Sequence, residues 1–414
     1  MAEDLRSLLD ALLQPNNDLR NAAEVAFREQ LAAAPAPLAR GLAELGLNGV
    51  PAAAGPDLGR QQLAVMLLGK VLVDKAGGSI GVGTGIGVGA VRWPALRGQQ
   101  PEMQGALLTA MSSHPSPIIR KATCDVAGTF ALSLHAELED PSQTPWPELL
   151  AFALGAAGGL SDSVVARESA VRILANIVDV LAALEPQALV RTLEANLNYG
   201  LGGGGAGGAD LGSICKIHEL SVSAFTMLME YLPDDVPHEL FQPLLPLSLT
   251  AAAGLATLSA LGAPAEGACD ALENIAAVAV SSSVMFPPFV RQLVEIFGVI
   301  ALNPDPNDPN PTLSLEPLTL LPLTTLGLGL GLSPGPGFGF SDDVRSLALE
   351  VILSLAQIEP DLLRPCDDYD PCEALVKVLF EMVMEVQDGN DWISAVEAQD
   401  TLTEEKVHFA AEAG

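Results

Sequence analysis

Positive charge is scarce in this chain: 20 Lys and Arg stand against 51 Asp and Glu, a formal net charge of −31 over 414 residues. Nucleic-acid binding depends on clustered cations that displace counterions from phosphates, so the balance argues against nucleic acid as a direct ligand. It favours basic protein partners, although solvated acidic faces alone would give the same sum. Histidine and cysteine are also few, at 5 each. Cys124, Cys215, Cys269, Cys366 and Cys372 are odd in number and sit mostly in apolar contexts, the pattern of reduced, intracellular thiols. Cys366 and Cys372, in CDDYDPC, resemble half a metal site. Their spacing is loose, however, and none of His114, His135, His218, His238 or His408 is near in sequence, whereas structural zinc takes about four N or S ligands.

Motifs of catalysis and nucleotide binding are missing as well. There is no H-E-x-x-H and no G-x-S-x-G. The glycines of GVGTGIGVG alternate and never satisfy G-x-G-x-x-G, and Gly69-Lys70 is followed by Val71 rather than Ser or Thr. No enzyme, cofactor or metal is therefore expected. The opening MAEDLRSLLDALLQ reads as an acidic amphipathic helix, not a secretory signal. Two long uncharged runs, between Glu239 and Glu266 and between Glu316 and Asp342, are broken by Pro and Gly, so neither offers the roughly 20 continuous apolar residues of a membrane span. Buried helices account for them, and the 49% hydrophobic content is compatible with an interaction surface.

What the sequence does contain is a recurring helix. In SDDVRSLALEVILSLAQ (341–357), Val344, Leu347, Ala348, Val351, Ile352 and Leu355 form one stripe of period 3.6, with Ser341 placed as N-cap and Asp342 and Asp343 at the positive end of the dipole. The same stripe surrounds Arg20 (Leu19, Ala22, Ala23, Ala26, Phe27), Arg120 (Ile119, Ala122, Thr123, Val126, Ala127) and Arg167 (Ala166, Ser169, Ala170, Ile173, Leu174). Weaker copies, which lack the Arg, lie at Ser221 and Cys269, and the segment starting at Arg60 fits with Leu63, Met66 and Leu67. The reference positions 20, 60, 120, 167, 221, 269 and 345 are separated by 40, 60, 47, 54, 48 and 76 residues. Several of these gaps match the roughly 40 to 47 residues of a HEAT or armadillo repeat. The longer ones hold Gly/Pro-rich inserts, at about 77–91, 200–212 and 303–340.

A second helix precedes most copies: PEMQGALLTAM (101–111), WPELLAFAL (146–154), PQALVRTLEANL (186–197), HELFQPLLPLSL (238–249) and PFVRQLVEIFGVI (288–300). Length alone suggests about two or three globular domains. Paired helices that cannot bury their apolar faces alone predict instead an all-α fold, one α-solenoid of HEAT/armadillo-like repeats over residues 1–414. The alternative is a compact, Ala/Leu-rich helical enzyme domain.

Several segments, in order, resemble the importin-β (karyopherin-β) superfamily of nuclear transport receptors, and within it the branch of importins four and five. LRSLLDALLQPNNDLRNAAEVAFRE (5–29) is similar to the family's opening repeat, and RQQLAVMLLGKVL (60–72) to its R-Q-x-A-A-x-L-L helix, departing at Gly69, where a basic residue is usual. RWPAL (92–96), IIRKATCDVAGTFA (118–131), PWPELLAFAL (145–154), VARESAVRILANI (165–177), CDALENIAA (269–277) and VRSLALEVILSLA (344–356) follow in the family order. DGNDWISAVEAQD (388–400) looks like the Asp-Trp and acidic insertion found after the early repeats of this branch. The family's chains are considerably longer, so the sequence reads as an N-terminal portion or truncated product, with an importin N-terminal-like region over about 1–100.

The resemblance implies a carrier that shuttles between cytoplasm and nucleus through the pore. Such a carrier binds basic cargo (proteins with nuclear localisation signals, ribosomal proteins or histones), releases it to Ran-GTP and touches Phe-Gly nucleoporins. It also implies that the helices at 60–72, 118–131 and 165–177 face Ran. An acidic loop at about 388–406, bearing Asp388, Asp391, Trp392, Glu397, Asp400, Glu404 and Glu405, would meet basic residues of Ran or cargo. By analogy with related HEAT proteins, Arg20, Arg120, Arg167 and Arg345 would form an inter-repeat ladder, with Asp18, Asp162 and Asp342 as candidate partners. A non-transport HEAT scaffold for complex assembly is the competing reading; a helical membrane-associated protein rests on the uncharged runs alone.

Overall fold

The computed structural model describes residues 2–48, 56–74, 90–91, 96–140, 142–159, 163–200, 211–232, 236–303, 339–365 and 369–385. The three inserts lie almost wholly outside these residues, and the acidic stretch 388–406 entirely so. Sixteen α-helices occur among the described residues, and they pair along the chain. The pairs are α1 (Ala2–Leu12) with α2 (Asn17–Ala33), α3 (Pro35–Leu47) with α4 (Pro56–Leu72), and α5 (Gln100–Ser113) with α6 (Pro117–Ala136). Next come α7 (Pro147–Ala157) with α8 (Val164–Asn176) and its short continuation α9 (Val178–Leu184), then α10 (Pro186–Leu197) with α11 (Leu211–Tyr231). The series ends with α12 (Leu244–Ala260) and α13 (Glu266–Ser281), α14 (Val290–Ala301) and α15 (Asp342–Ile358), and α16 (Pro371–Glu385), which opens a further unit. Two-residue strands, β1 (Val73–Asp74) and β2 (Ala90–Val91), pair antiparallel across the first insert.

The pairs stack in two layers. In the second layer α4, α6, α8, α11, α13 and α15 pack side by side in sequence; in the first, α3 touches α5, and α7, α10, α12, α14 and α16 follow one another. Neighbours in the second layer meet over far more of their length than those in the first, which puts the second helices on the inside of the solenoid's curve.

Local sequence explains the helix ends. Proline occupies the first turn of α3, α5, α6, α7 and α10, where no partner for its nitrogen is needed. The Asn16 side chain caps α2 by accepting from the Asp18 and Leu19 amides, and the Ser163 hydroxyl accepts from Ala166. Ser341 stands at the N-cap of α15 as expected, but its hydroxyl makes no capping bond. After α12, Gly262 takes φ +100° and the Ala263 amide donates back to the Leu258 carbonyl at 3.0 Å, a closure that needs a left-handed residue.

The α15 stripe is buried at Val344, Ala348, Val351, Ile352 and Leu355, with Leu347 partly covered. Three stripe residues, Met66, Leu19 and Ala22, differ from expectation. Met66 shares the outer face of α4 with Gln62 and Lys70, one turn on either side, and is exposed; Leu19, in the first turn of α2, shares an exposed face with Ala22 and Glu29. The helix read at 238–249 begins only at Leu244 and runs on to Ala260, after a 3-10 turn at His238–Leu240. Pro243 lacks an amide and disfavours helical geometry at Gln242, whereas Pro246 falls within the first turn. The continuation is buried from Ala251 to Leu258, which accounts for the first uncharged run. Among the described residues no helix is long and apolar enough to cross a membrane. At the third insert, the Phe340 amide donates to the Asn303 carbonyl at 2.9 Å, bringing the two ends of the insert together.

Candidate interaction surface

The segments expected to face Ran become three consecutive second-layer helices, α4, α6 and α8. Two glycines let them approach closely. A Cβ at Gly69 would come within 2.9 Å of Val126 Cγ2, and one at Gly128 within 2.7 Å of Asn176 Cβ. Gly69, the departure from the family pattern, therefore has a packing reason on the α4–α6 contact. The Asn176 side-chain amide donates to the Cys124 carbonyl at 3.4 Å, tying α8 to α6. Burial pushes the Cys124 thiol up to about 12, with Arg172 opposing and Asp125 and Glu168 adding to the rise. This thiol is inert packing rather than a nucleophile.

Carboxylates continue along the layer. Asp125 on α6 is exposed and Glu168 on α8 half-buried. Glu219 on α11 pairs with Lys216 and lies against Gly267 of α13. Asp343 on α15, with Glu273 and Asp270 on α13, surrounds Cys269 and adds to the rise that burial imposes on its thiol. Second-layer helices from α6 to α15 thus present negative charge beside one another, a field that speeds encounter with cationic partners.

The four arginines do not share one role. Arg20 is exposed and donates to the Asn17 side chain at 2.7 Å, within its own helix. Arg120 is buried and donates to the carbonyls of His114 (2.7 Å) and Pro115 (3.2 Å), closing the end of α5. Arg345, also buried, donates through Nε to the Ala301 carbonyl at the end of α14 (2.8 Å) and pairs with Asp342 of its own helix (3.2 Å). Arg167 reaches the following unit: it donates to Asn196 Oδ1 at 3.4 Å and its guanidinium lies 4.3 Å from the Tyr199 ring centroid. A Cβ at Gly159, where φ is +91°, would come within 3.0 Å of that guanidinium. Arg120 and Arg345 thus cap carbonyls at the end of the preceding helix, acceptors that a helix end leaves without an intrahelical partner. Asp162 and the acidic residues Asp388, Asp391, Glu397, Asp400, Glu404 and Glu405, with Trp392, lie outside the described residues.

Capping of this kind predicts an asymmetry. Arg345→Met should cost about 2 kcal/mol, since it strips a charged donor from a buried carbonyl, whereas Arg20→Met should stay within about 0.5 kcal/mol. Urea midpoints of the two variants check it; equal losses would mean that burial does not set the role of these arginines.

Sequence reasoning passed over His218 on α11. It is buried, its Nε2–H donates to the Tyr199 carbonyl at 2.8 Å, and burial pushes its pKa down to about 4. It closes the end of α10 much as Arg120 closes α5. The signal for it is weak: a polar residue on an otherwise apolar stripe.

Two layers of stacked helix pairs, with the more tightly packed layer inside, define a HEAT-type α-solenoid. Residues 339–413 match the family model of the Importin repeat. The chain is also similar in structure to Kap121p bound to RanGTP, with 17% identity and a TM-score of 0.58 over 91% of this chain and 28% of that one. The karyopherin Kap121p bound to the SUMO protease Ulp1p gives 17% identity and a TM-score of 0.61 over 96% and 30%, and Kap121p bound to Nup53p gives 17% and 0.61 over 95% and 31%. No curated protein matches the chain in sequence. The chain spans about three-tenths of the length of the Kap121p structures it matches. At this identity the structural likeness is one of fold. It extends over most of the length, and the Importin repeat match covers residues 339–413.

Proposed function

We propose that the chain is a nuclear import receptor, or the N-terminal portion of one, from the branch of importins four and five. It acts by competitive binding rather than catalysis. In this reading basic cargo is held on the acidic second layer, Ran-GTP engages α4, α6 and α8, and Phe-Gly nucleoporins are met during passage between cytoplasm and nucleus. Asp388, Asp391, Trp392, Glu397, Asp400, Glu404 and Glu405 form the acidic contact for Ran or cargo. The observation that carries the reading is the Importin repeat match at 339–413, which runs through this acidic stretch and continues a karyopherin-type solenoid.

A carrier that exchanges cargo between compartments must distinguish the nucleotide states of Ran, because only differential affinity shifts an equilibrium. The purified chain is expected to bind Ran-GTP on the order of 100-fold more tightly than Ran-GDP. Equal or absent binding by a chain with intact helical circular dichroism would overturn the reading in favour of a non-transport HEAT scaffold.

A further inference from the structure

Helix α16 carries a bare apolar strip. One side of the helix is packed: Leu375 and Val378 are buried, and a Cβ at Gly298 of α14 would come within 3.2 Å of Val378 Cγ2. Round the helix from that side, Val376, Phe380 and Val383 recur at i, i+4 and i+7 and are 58%, 63% and 64% exposed. Every earlier first-layer helix from α3 to α14 packs against the second-layer helix that follows it. Among the described residues α16 packs chiefly against α14 and the 3-10 turn Pro360–Leu363, with no second-layer partner of its own.

The sequence beyond α16 holds a segment of matching pattern. Thr401 and Glu404, in TLTE, have the spacing of a capping box, which marks a helix start at Leu402. On a 3.6-residue period from there, Leu402, Val407, Phe409, Ala410 and Ala413 share one side, and Glu404, Glu405, His408 and Glu412 crowd into about 100° of the other. A helix over 402–413 is about 18 Å long, and the strip from Val376 to Val383 about 10 Å, so one can lie along the other. Residues 386–401 lie between them, more than the roughly two to eight that an antiparallel return needs. The Importin repeat match does not stop at α16 but runs on to residue 413.

We propose that residues 402–413 seat on Val376, Phe380 and Val383 and supply α16 with its second-layer partner. Leu402 and Phe409 would cover the strip, and burial of a phenylalanine and two valines drives the contact. Glu404, Glu405, His408 and Glu412 would stay on the solvent side, where their charges cost nothing to keep hydrated. The inference does not rest on binding of Ran or cargo.

The test is hydrogen–deuterium exchange of the full chain, read by mass spectrometry on fragments covering α16 and 402–413. Amides of 402–413 are expected to exchange at least about tenfold more slowly than in a synthetic peptide of the same sequence. F380S/V383S should return them to the rate of the peptide and leave α13 unchanged. Ala410→Pro, which breaks a helix in the segment without touching α16, should speed exchange in α16 about tenfold. Leu19→Ser, at an exposed apolar residue elsewhere, should alter neither. Peptide-like exchange of 402–413 in the parent, protection that survives F380S/V383S, or an α16 unmoved by Ala410→Pro overturns the proposal. So does protection of α16 that rises with protein concentration, since a second copy would then cover the strip. Protection with this pattern in a preparation without Ran-GTP preference supports the proposal while the transport reading fails.

Discussion

Trp146→Ala is expected to lower stability by about 4 kcal/mol, a large share of the total for a chain whose units depend on their neighbours. Trp146 is 1% exposed and sits at the N-cap of α7, where its carbonyl accepts from Leu149 at 3.1 Å and its ring meets Phe130 of α6 edge-on, with centroids 5.9 Å apart. The ring therefore joins two repeats. Alanine removes the burial and the aromatic pair, and it leaves a cavity that α6 and α7 can close only in part. Because a solenoid unit touches only its neighbours, the damage should centre on α5 to α8, and unfolding should broaden or split into two steps. Urea denaturation followed by far-UV circular dichroism reads both effects. A loss below about 1.5 kcal/mol would show that the Trp146 site collapses on itself and does not hold the junction. If α4, α6 and α8 engage Ran, the same variant should lose that binding before it loses the helices beyond α10.

The second large effect is a pH dependence carried by His218. Burial moves its pKa from the ordinary 6.5 to about 4, so the unfolded chain takes up the proton at a higher pH than the folded one. Its contribution is fully present above about pH 6.5 and is lost as the pH falls towards 4, about 3 kcal/mol in all. His218→Gln keeps a donor for the Tyr199 carbonyl and removes the titration. Between pH 7 and pH 4.5 the parent should lose about 2 kcal/mol more stability than this variant, measured by urea midpoints at each pH. Equal losses would mean that His218 is protonated in the folded chain with little penalty, and that carboxylates alone govern the acid response.

Much of the fold was legible because its signals are local. The apolar stripe through Val344, Val351 and Leu355 needs only a 3.6-residue period, and its recurrence at about the length of a helix pair gave the solenoid. Less visible were α3, whose PAPLARGLAELGL carries two prolines and two glycines, and α9, which follows a break at Ile177 in an otherwise continuous apolar pattern. Of the site residues, the acidic stretch from Asp388 to Glu405 was conspicuous as composition, and it lies outside the described residues.

Sequence alone determined the helical period, the repeat spacing, the excess of carboxylates and the ordered segments that resemble importins, all of which are properties of composition or of neighbours along the chain. Tertiary structure decided the rest. Arg345 meets the Ala301 carbonyl 44 residues away, and Gly69 faces Val126 on another helix. Such pairings depend on which helix ends the stacking brings within a few ångströms. A long side chain takes whatever acceptor packing leaves open there, and no one-dimensional pattern encodes that choice.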